Sequence, residues 1–445
     1  MKRENSNLYK SEIHKLIPGG AHTYSKGDDQ FSENAPAAIS YGKGSYIWDV
    51  DGNKFLDCSM GLSSVSLGHA HKPVIDAVKK EIDLGVNFQR PSYIEHEMAK
   101  VFLSLIPKHG MIKFTKNGST ATTAAVKLAR AKTGRKLIAF PSDHPFFSYD
   151  DWFIGKTECN KGVPDEITKL SITFKSCNLN SLRNLFELYP NEIAGVIMEP
   201  ERITCSNCQC EISVENYLKQ AIEITQSNGA LFILDEMVTG FKIDLPGAIT
   251  KYNLKPDLAT WGKGIANGFS FCALTGKTEI MELGGIKNKG KEKVFLTSTT
   301  HGGETHSIRA AIKTIQIFKK KDVVNHNHKI GESVINETNK IIKKHKIEKS
   351  IGVIPCKWIV AFTFKNLMEE DCLIHRTYFM QEMIKQNILF QGVFIPCYDH
   401  KKEEVDFFIN GFQKAIKVYS EAFNKDMILK KLIGEVTKPV FRKIL

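Results

Sequence analysis

The feature that most restricts this chain is a pair of short apolar runs, each of which stops on a group able to carry charge. Leu231-Phe232-Ile233-Leu234 runs straight into Asp235 and Glu236, with Gly240 just beyond. Leu258-Ala259-Thr260-Trp261 is followed by Lys263 between Gly262 and Gly264. Uninterrupted apolar runs of this length are how strands read when a sheet is covered on both faces. Polar residues at their C-terminal ends mark the rim where such sheets bind ligands. One strand end therefore offers an acid and another an amine.

That combination has a specific use. A lysine can form a Schiff base with an aldehyde cofactor, and an aspartate can keep the nitrogen of a pyridine ring protonated, which turns the ring into an electron sink. The small residues flanking Lys263 leave it room to swing between cofactor and substrate. Taken singly, the Asp is an ordinary helix cap and the Lys an ordinary loop residue; together in this order they are specific. With Asp235, Glu236, Thr239, Gly240 and Phe241 followed by the run PDLATWGKG ending at Gly264, the chain resembles the class III pyridoxal-phosphate-dependent aminotransferases, in particular the glutamate-1-semialdehyde aminomutases.

The resemblance implies an α/β fold of the aspartate aminotransferase type, fold type I, with a mainly parallel central sheet and a smaller α+β domain. The alternation of strand and helix from about 111 to 275 agrees with it. Residues 1–71 are expected to form an N-terminal segment and hairpin packing with the small domain, 72–320 the large cofactor-binding domain, and 321–445 the small domain with a basic C-terminal extension.

Site roles follow by resemblance. Lys263 is expected to hold pyridoxal 5′-phosphate and Asp235 to face its ring nitrogen, with Met237 against the ring. Gly118, Ser119 and Thr120 stand at a small-residue turn between a strand and a helix, where free N–H groups and the positive end of the helix bind phosphate. His144 occupies the position of the aromatic ring that stacks on the cofactor. Thr300 matches a threonine that reaches the phosphate bound by a neighbouring subunit, which implies a homodimer with shared sites. Lys26, Ser63 and Glu304 are substrate candidates. Lys26 stands where the aminomutases carry Arg, keeping the charge but losing the bidentate fork. Three segments depart from the resembled pattern: Lys26, His144 to Phe147, and Arg202 to Cys205.

Composition narrows the remaining classes. The 445 residues are 42% hydrophobic and 25% charged, as in ordinary globular proteins. The net charge of +12 comes from lysines spread along the chain, without the basic, aromatic-interleaved block of a nucleic-acid surface. No run is long enough for a membrane span, and the polar start at Met1-Lys2-Arg3 is unlike a signal segment. The ten cysteines lack a disulfide framework, so a cytoplasmic location is expected. Cys205, Cys208 and Cys210 lack a fourth ligand nearby, and no metal is expected. His69 and His71, with no acidic or thiol partner close in sequence, read as helix-start and packing residues. Arg376 reads as a surface residue, and the last twenty residues as a docked basic amphipathic helix.

The expected activity is amino-group transfer between a small-molecule amino donor and an aldehyde or keto acceptor. Aminomutase and transaminase chemistry both fit, and the altered segments leave room for an aldehyde or keto-sugar substrate, as in surface-polysaccharide synthesis. The alternative of another kind is a non-catalytic binding protein on the same fold.

Overall fold

A computed structural model describes residues 2–201, 212–287, 289–290 and 292–444. The Arg202 to Cys205 departure and the Cys205, Cys208 and Cys210 cluster lie outside the described residues. The chain divides into two compact units, Met1–His71 with Asn325–Arg442 and Lys72–Val324 with Lys443–Leu445.

The second unit is built on a seven-stranded sheet in the spatial order Met111–Thr115, Cys272–Gly276, Leu258–Trp261, Leu231–Glu236, Ile193–Met198, Leu137–Pro141, Ser171–Phe174. The last five strands are mutually parallel, and Cys272–Gly276 runs against both of its neighbours. Every residue of Leu231–Glu236, Ile193–Met198 and Leu258–Trp261 is buried, which accounts for their unbroken apolar runs. Asp235 and Glu236 fall inside their strand rather than after it, so both carboxylates are drawn into the protein. The helix Gly118–Thr133 packs on this sheet through a face of small residues, Ala121, Ala124, Ala125 and Ala129. Sequence periodicity places its start at Thr123; the Asn117 side chain caps it five residues earlier, accepting from Thr120 N–H at 2.9 Å. Gly134, at φ 69°, ends it.

The first unit holds a four-stranded sheet, Ile39–Lys43, Tyr46–Asp49, Lys54–Asp57 and Ile388–Leu389, and a three-stranded one, Ile351–Ile354, Val360–Phe364 and Val393–Phe394. The run from Ile388 to Ile395, which reads as one strand, is thus split between two sheets, with Gly392 at φ 81° making the turn. The core joins Phe362, Phe379, Phe390, Phe408, Phe412 and Tyr419 from both sheet and helices.

Three expectations change here. His69 and His71 do have acidic partners: His69 Nε2 lies 2.9 Å from Asp57 Oδ2 and His71 Nδ1 3.9 Å from Asp399 Oδ2. Arg376 is partly buried and donates to the Gln391 carbonyl at 3.0 Å instead of facing solvent. Among the described residues the C-terminal segment is helical only over Ile428–Lys431, ending where Leu432 is already extended, and the rest is pinned as irregular chain. Arg442 Nη2 meets Asp29 Oδ2 at 2.7 Å, and the Lys438 N–H donates to the Asp29 carbonyl. Among the described residues no helix is long and apolar enough to cross a membrane.

Candidate active site

The parallel strands Leu231–Glu236 and Leu258–Trp261 are neighbours, with Asp235 opposite Thr260 and Glu236 opposite Trp261. Their C-terminal ends therefore open on the same rim, and Lys263 follows two residues past Trp261. Its backbone is left-handed, φ 46°, between Gly262 and Gly264. A non-glycine residue held there costs about 1–3 kcal/mol, a strain typical of positions that must aim a side chain.

Asp235 is almost fully buried, accepting from the Thr260 hydroxyl at 2.7 Å and the Met237 N–H at 2.9 Å. Burial first, and then the nearby Glu199 charge, push its carboxyl up to about 7; the two hydrogen bonds and Lys263 offset part of this. Removal from water lowers the Lys263 amine below the usual lysine value, against the opposing pull of Glu199 and Asp235. An acid and an amine that both sit uneasily in their charged forms are suited to receive a partner carrying the missing charge.

The Met237 thioether lies over the start of the helix Gly118–Thr133. A Cβ at Gly118 would come within 3.0 Å of its sulfur, and one at Gly262 within 2.2 Å of that sulfur and 2.5 Å of Cys272 Sγ. Both glycines are therefore required by close approach. Burial drives the Cys272 thiol up to about 12, so it is a neutral group beside the lysine. At the helix start, Thr120 is committed to the cap, donating from both N–H and hydroxyl to Asn117 Oδ1. The Ser119 hydroxyl accepts from Tyr149 N–H at 3.0 Å, which leaves its own proton to give. Gly118 and Ser119 thus present the first-turn donors.

His144 is buried, with Nε2 at 3.0 Å from Glu199 Oε2 and its ring stacked on Phe147 at 3.4 Å and 9°. Thr300 lies in the irregular stretch before the helix Thr305–Lys321, its carbonyl accepting from Asn87 Nδ2. Glu304, at the N-cap position of that helix, sits 2.7 Å from Lys116 Nζ and 2.9 Å from His301 Nδ1. The lysine hydrogen bond, above all, holds its carboxyl below the usual range. Lys26 and Ser63 belong to the other unit. Lys26 is exposed on a short turn, whereas Ser63 is buried at the end of a left-handed run, Met60 to Ser63, with φ between 43° and 66°.

Two participants were not among the site residues expected from sequence. Glu199 was recognisable as an acidic strand end, but its pairing with His144 and its reach to Asp235 and Lys263 are tertiary facts. Lys242, one residue beyond Phe241, is buried and donates to the Val238 carbonyl at 3.0 Å. Burial and the Lys263 charge bring its amine down to about 7. A lysine after a turn ordinarily reads as solvated, so nothing in the sequence marked it.

The aminotransferase class-III family profile matches residues 29–415. This chain belongs to the class III aminotransferases. The glutamate-1-semialdehyde 2,1-aminomutase of Persephonella marina is 27% identical over 440 residues, covering 94% of this chain and 99% of that protein. The 3-aminobutyryl-CoA aminotransferase of Cloacimonas acidaminovorans is 28% identical over 410 residues, covering 91% and 95%. Among solved structures, the Sphingopyxis FumI protein in its PLP internal aldimine form superposes with a TM-score of 0.84 at 19% identity, covering 94% of this chain and 97% of that one. An omega-transaminase from Sphaerobacter thermophilus gives 0.82 at 18%, covering 93% and 97%. The fold is thus that of the fold type I transferases, as the sequence led us to expect. As a class III aminotransferase, the chain is a pyridoxal-phosphate-dependent enzyme of the aminotransferase or aminomutase type. The residues present suit that cofactor: an amine short of its charge, a carboxyl raised for want of a cation, and a helix start with free donors.

Proposed function

We propose that this class III enzyme moves an amino group in the manner of the glutamate-1-semialdehyde aminomutases, with Lys263 and Asp235 at its centre. The observation that carries the reading is that the buried Asp235 and the half-buried Lys263 stand at the ends of neighbouring parallel strands, within electrostatic reach of one another. Pyridoxal phosphate supplies an electron sink for negative charge at the substrate carbon.

The chain's residues do the rest. Lys263 Nζ would hold the cofactor and, once free, would move a proton at the substrate carbon. Asp235 would hold the ring nitrogen, and a cation there would return its carboxyl to the charged form in a site from which water is excluded. Gly118 and Ser119 N–H groups would take the phosphate, Met237 and His144 would bound the ring, and Thr300 would serve the phosphate of a partner subunit. Lys26, Ser63 and Glu304 are assigned to the substrate side. Glu304 contributes there through the Lys116 ammonium it holds.

We assign the working form as a cytoplasmic homodimer. The segment from Ile82 to Tyr93 supports the dimer, since Leu84, Phe88 and Tyr93 on it are exposed and Phe88 lines a pocket with the loop that bears Thr300.

His144 to Phe147 favours a second reading of the substrate. A histidine tied to Glu199 and backed by Phe147 makes a differently shaped wall, which suits an aldehyde or keto-sugar acceptor and transaminase chemistry. A single-turnover screen separates the two: glutamate-1-semialdehyde alone shifts the visible band of an aminomutase. No shift with it, but a shift with an amino donor that an aldehyde or keto-sugar reverses, selects the transaminase. A protein that takes up no pyridoxal phosphate would instead be the non-catalytic alternative.

A further inference from the structure

Residues 147–152 run along the first turns of the helix Gly118–Thr133 and meet it at Ser119, Thr122 and Thr123, three positions on one helix face. The Tyr149 N–H donates to Ser119 Oγ at 3.0 Å, and this bond leaves the Ser119 hydroxyl its own proton to give. The Tyr149 ring is 58% exposed and gives that N–H little anchorage. The Thr122 hydroxyl is divided between the Phe147 carbonyl and the Ser119 carbonyl of its own helix, each at 3.0 Å. The firm attachment lies one residue further on. Asp150 Oδ2 accepts from the Thr123 hydroxyl, which itself accepts from Trp152 Nε1 at 2.9 Å and lies 3.2 Å from the hydroxyl of buried Ser148. Asp150 stands at the N-cap of the short helix Asp151–Ile154, where an aspartate ordinarily caps its own helix. Its carboxylate makes no such bond and reaches across to the longer helix instead, as a charged acceptor that binds a hydroxyl more strongly than a carbonyl does.

We propose that Asp150 is a positioning residue for the phosphate turn: through Thr123 it fixes residues 147–152 on the helix, so that the Tyr149 N–H holds the Ser119 hydroxyl in the orientation that gives its proton to a phosphate. This inference rests on the reading that Gly118 and Ser119 take the phosphate of the cofactor. Asp150 acts through Thr123 and Tyr149 and makes no contact of its own with the ligand. Its effect must therefore appear only with a ligand that carries a phosphate, and must pass through Thr123.

The test titrates cofactor-free full-length protein with pyridoxamine 5′-phosphate and with pyridoxamine, neither of which has the aldehyde needed to link to Lys263. The ratio of the two affinities isolates what the phosphate contributes. Asp150→Ala is expected to lower that ratio about tenfold with pyridoxamine binding within about twofold of wild type, whereas Asp150→Asn, whose side-chain carbonyl still accepts from Thr123, keeps the ratio within about threefold. Thr123→Val is expected to lower the ratio as Asp150→Ala does, and Asp150→Ala adds nothing further in that background. If Asp150→Ala does not fold, the comparison of Thr123→Val with wild type decides alone. Equal weakening of both ligands, an unchanged ratio, or a loss in Asp150→Asn as large as in Asp150→Ala overturns the inference while leaving the cofactor reading intact. A wild-type protein that gains nothing from the phosphate overturns both the inference and the reading it rests on.

Discussion

The Thr260 hydroxyl donates to Asp235 Oδ1 at 2.7 Å from the directly opposed position on the neighbouring parallel strand. Strand register thus fixes the direction of the carboxylate before any ligand arrives. Thr260→Val keeps the shape and removes the donor. The variant should fold and bind cofactor about tenfold more weakly, as the loss of a hydrogen bond to a charged group costs about 1.5–3 kcal/mol. Equilibrium titration checks it.

The Asp235 carboxyl, held up near 7 by burial and by Glu199, makes a prediction about pH in the cofactor-free protein. Between about pH 4 and 7 the unfolded chain has lost this proton while the folded one keeps it, so folding stability falls as pH rises through that window. Asp235→Asn removes the effect. The stability of wild type relative to this variant should fall by up to about 4 kcal/mol from pH 4 to 7, read by denaturant unfolding at several pH values. Groups common to both proteins cancel. With cofactor bound, wild type should lose this fall.

Gly262 has no space for a side chain, its Cβ position lying 2.2 Å from Met237 Sδ. Gly262→Ala should destabilise the protein by about 1–3 kcal/mol through overpacking and reduce cofactor affinity. Met237→Ala in the same chain should recover part of the stability. Thermal melts of the single and double variants decide it.

Leu84 and Phe88 are 74% and 52% exposed, and Phe88 lines a pocket with the Thr300 loop. Leu84→Asp with Phe88→Asp should convert a dimer of this 50.1 kDa chain to monomers with much weakened cofactor retention. Thr300→Ala should weaken retention without changing mass. Light scattering and cofactor content after dialysis report both.

What the sequence displayed, and what it hid, follows from the range of each interaction. Leu231–Glu236 and Leu258–Trp261 were legible because burial on both faces demands apolar runs, and Asp235 and Lys263 because each interrupts or follows such a run. Ser171–Phe174, with only Ile172 and Phe174 apolar, carries no such signal and was missed. The Asp399 partner of His71 lies far along the chain, and the Glu199 contact of His144 spans two strands, so neither could be found from local pattern. Lys242 shows the converse: its burial is imposed by the fold around it, against the ordinary preference of lysine for water.

The account turns on which amine carries the cofactor. Lys242 is buried and Lys263 half-buried, and each has an amine lowered below its ordinary value. Borohydride reduction of the cofactor-loaded protein, followed by peptide mapping in a mass spectrometer, locates the attachment directly. A phosphopyridoxyl group on Lys263, absent from Lys263→Ala, is the predicted result; its appearance on Lys242 or on surface lysines alone would contradict the account.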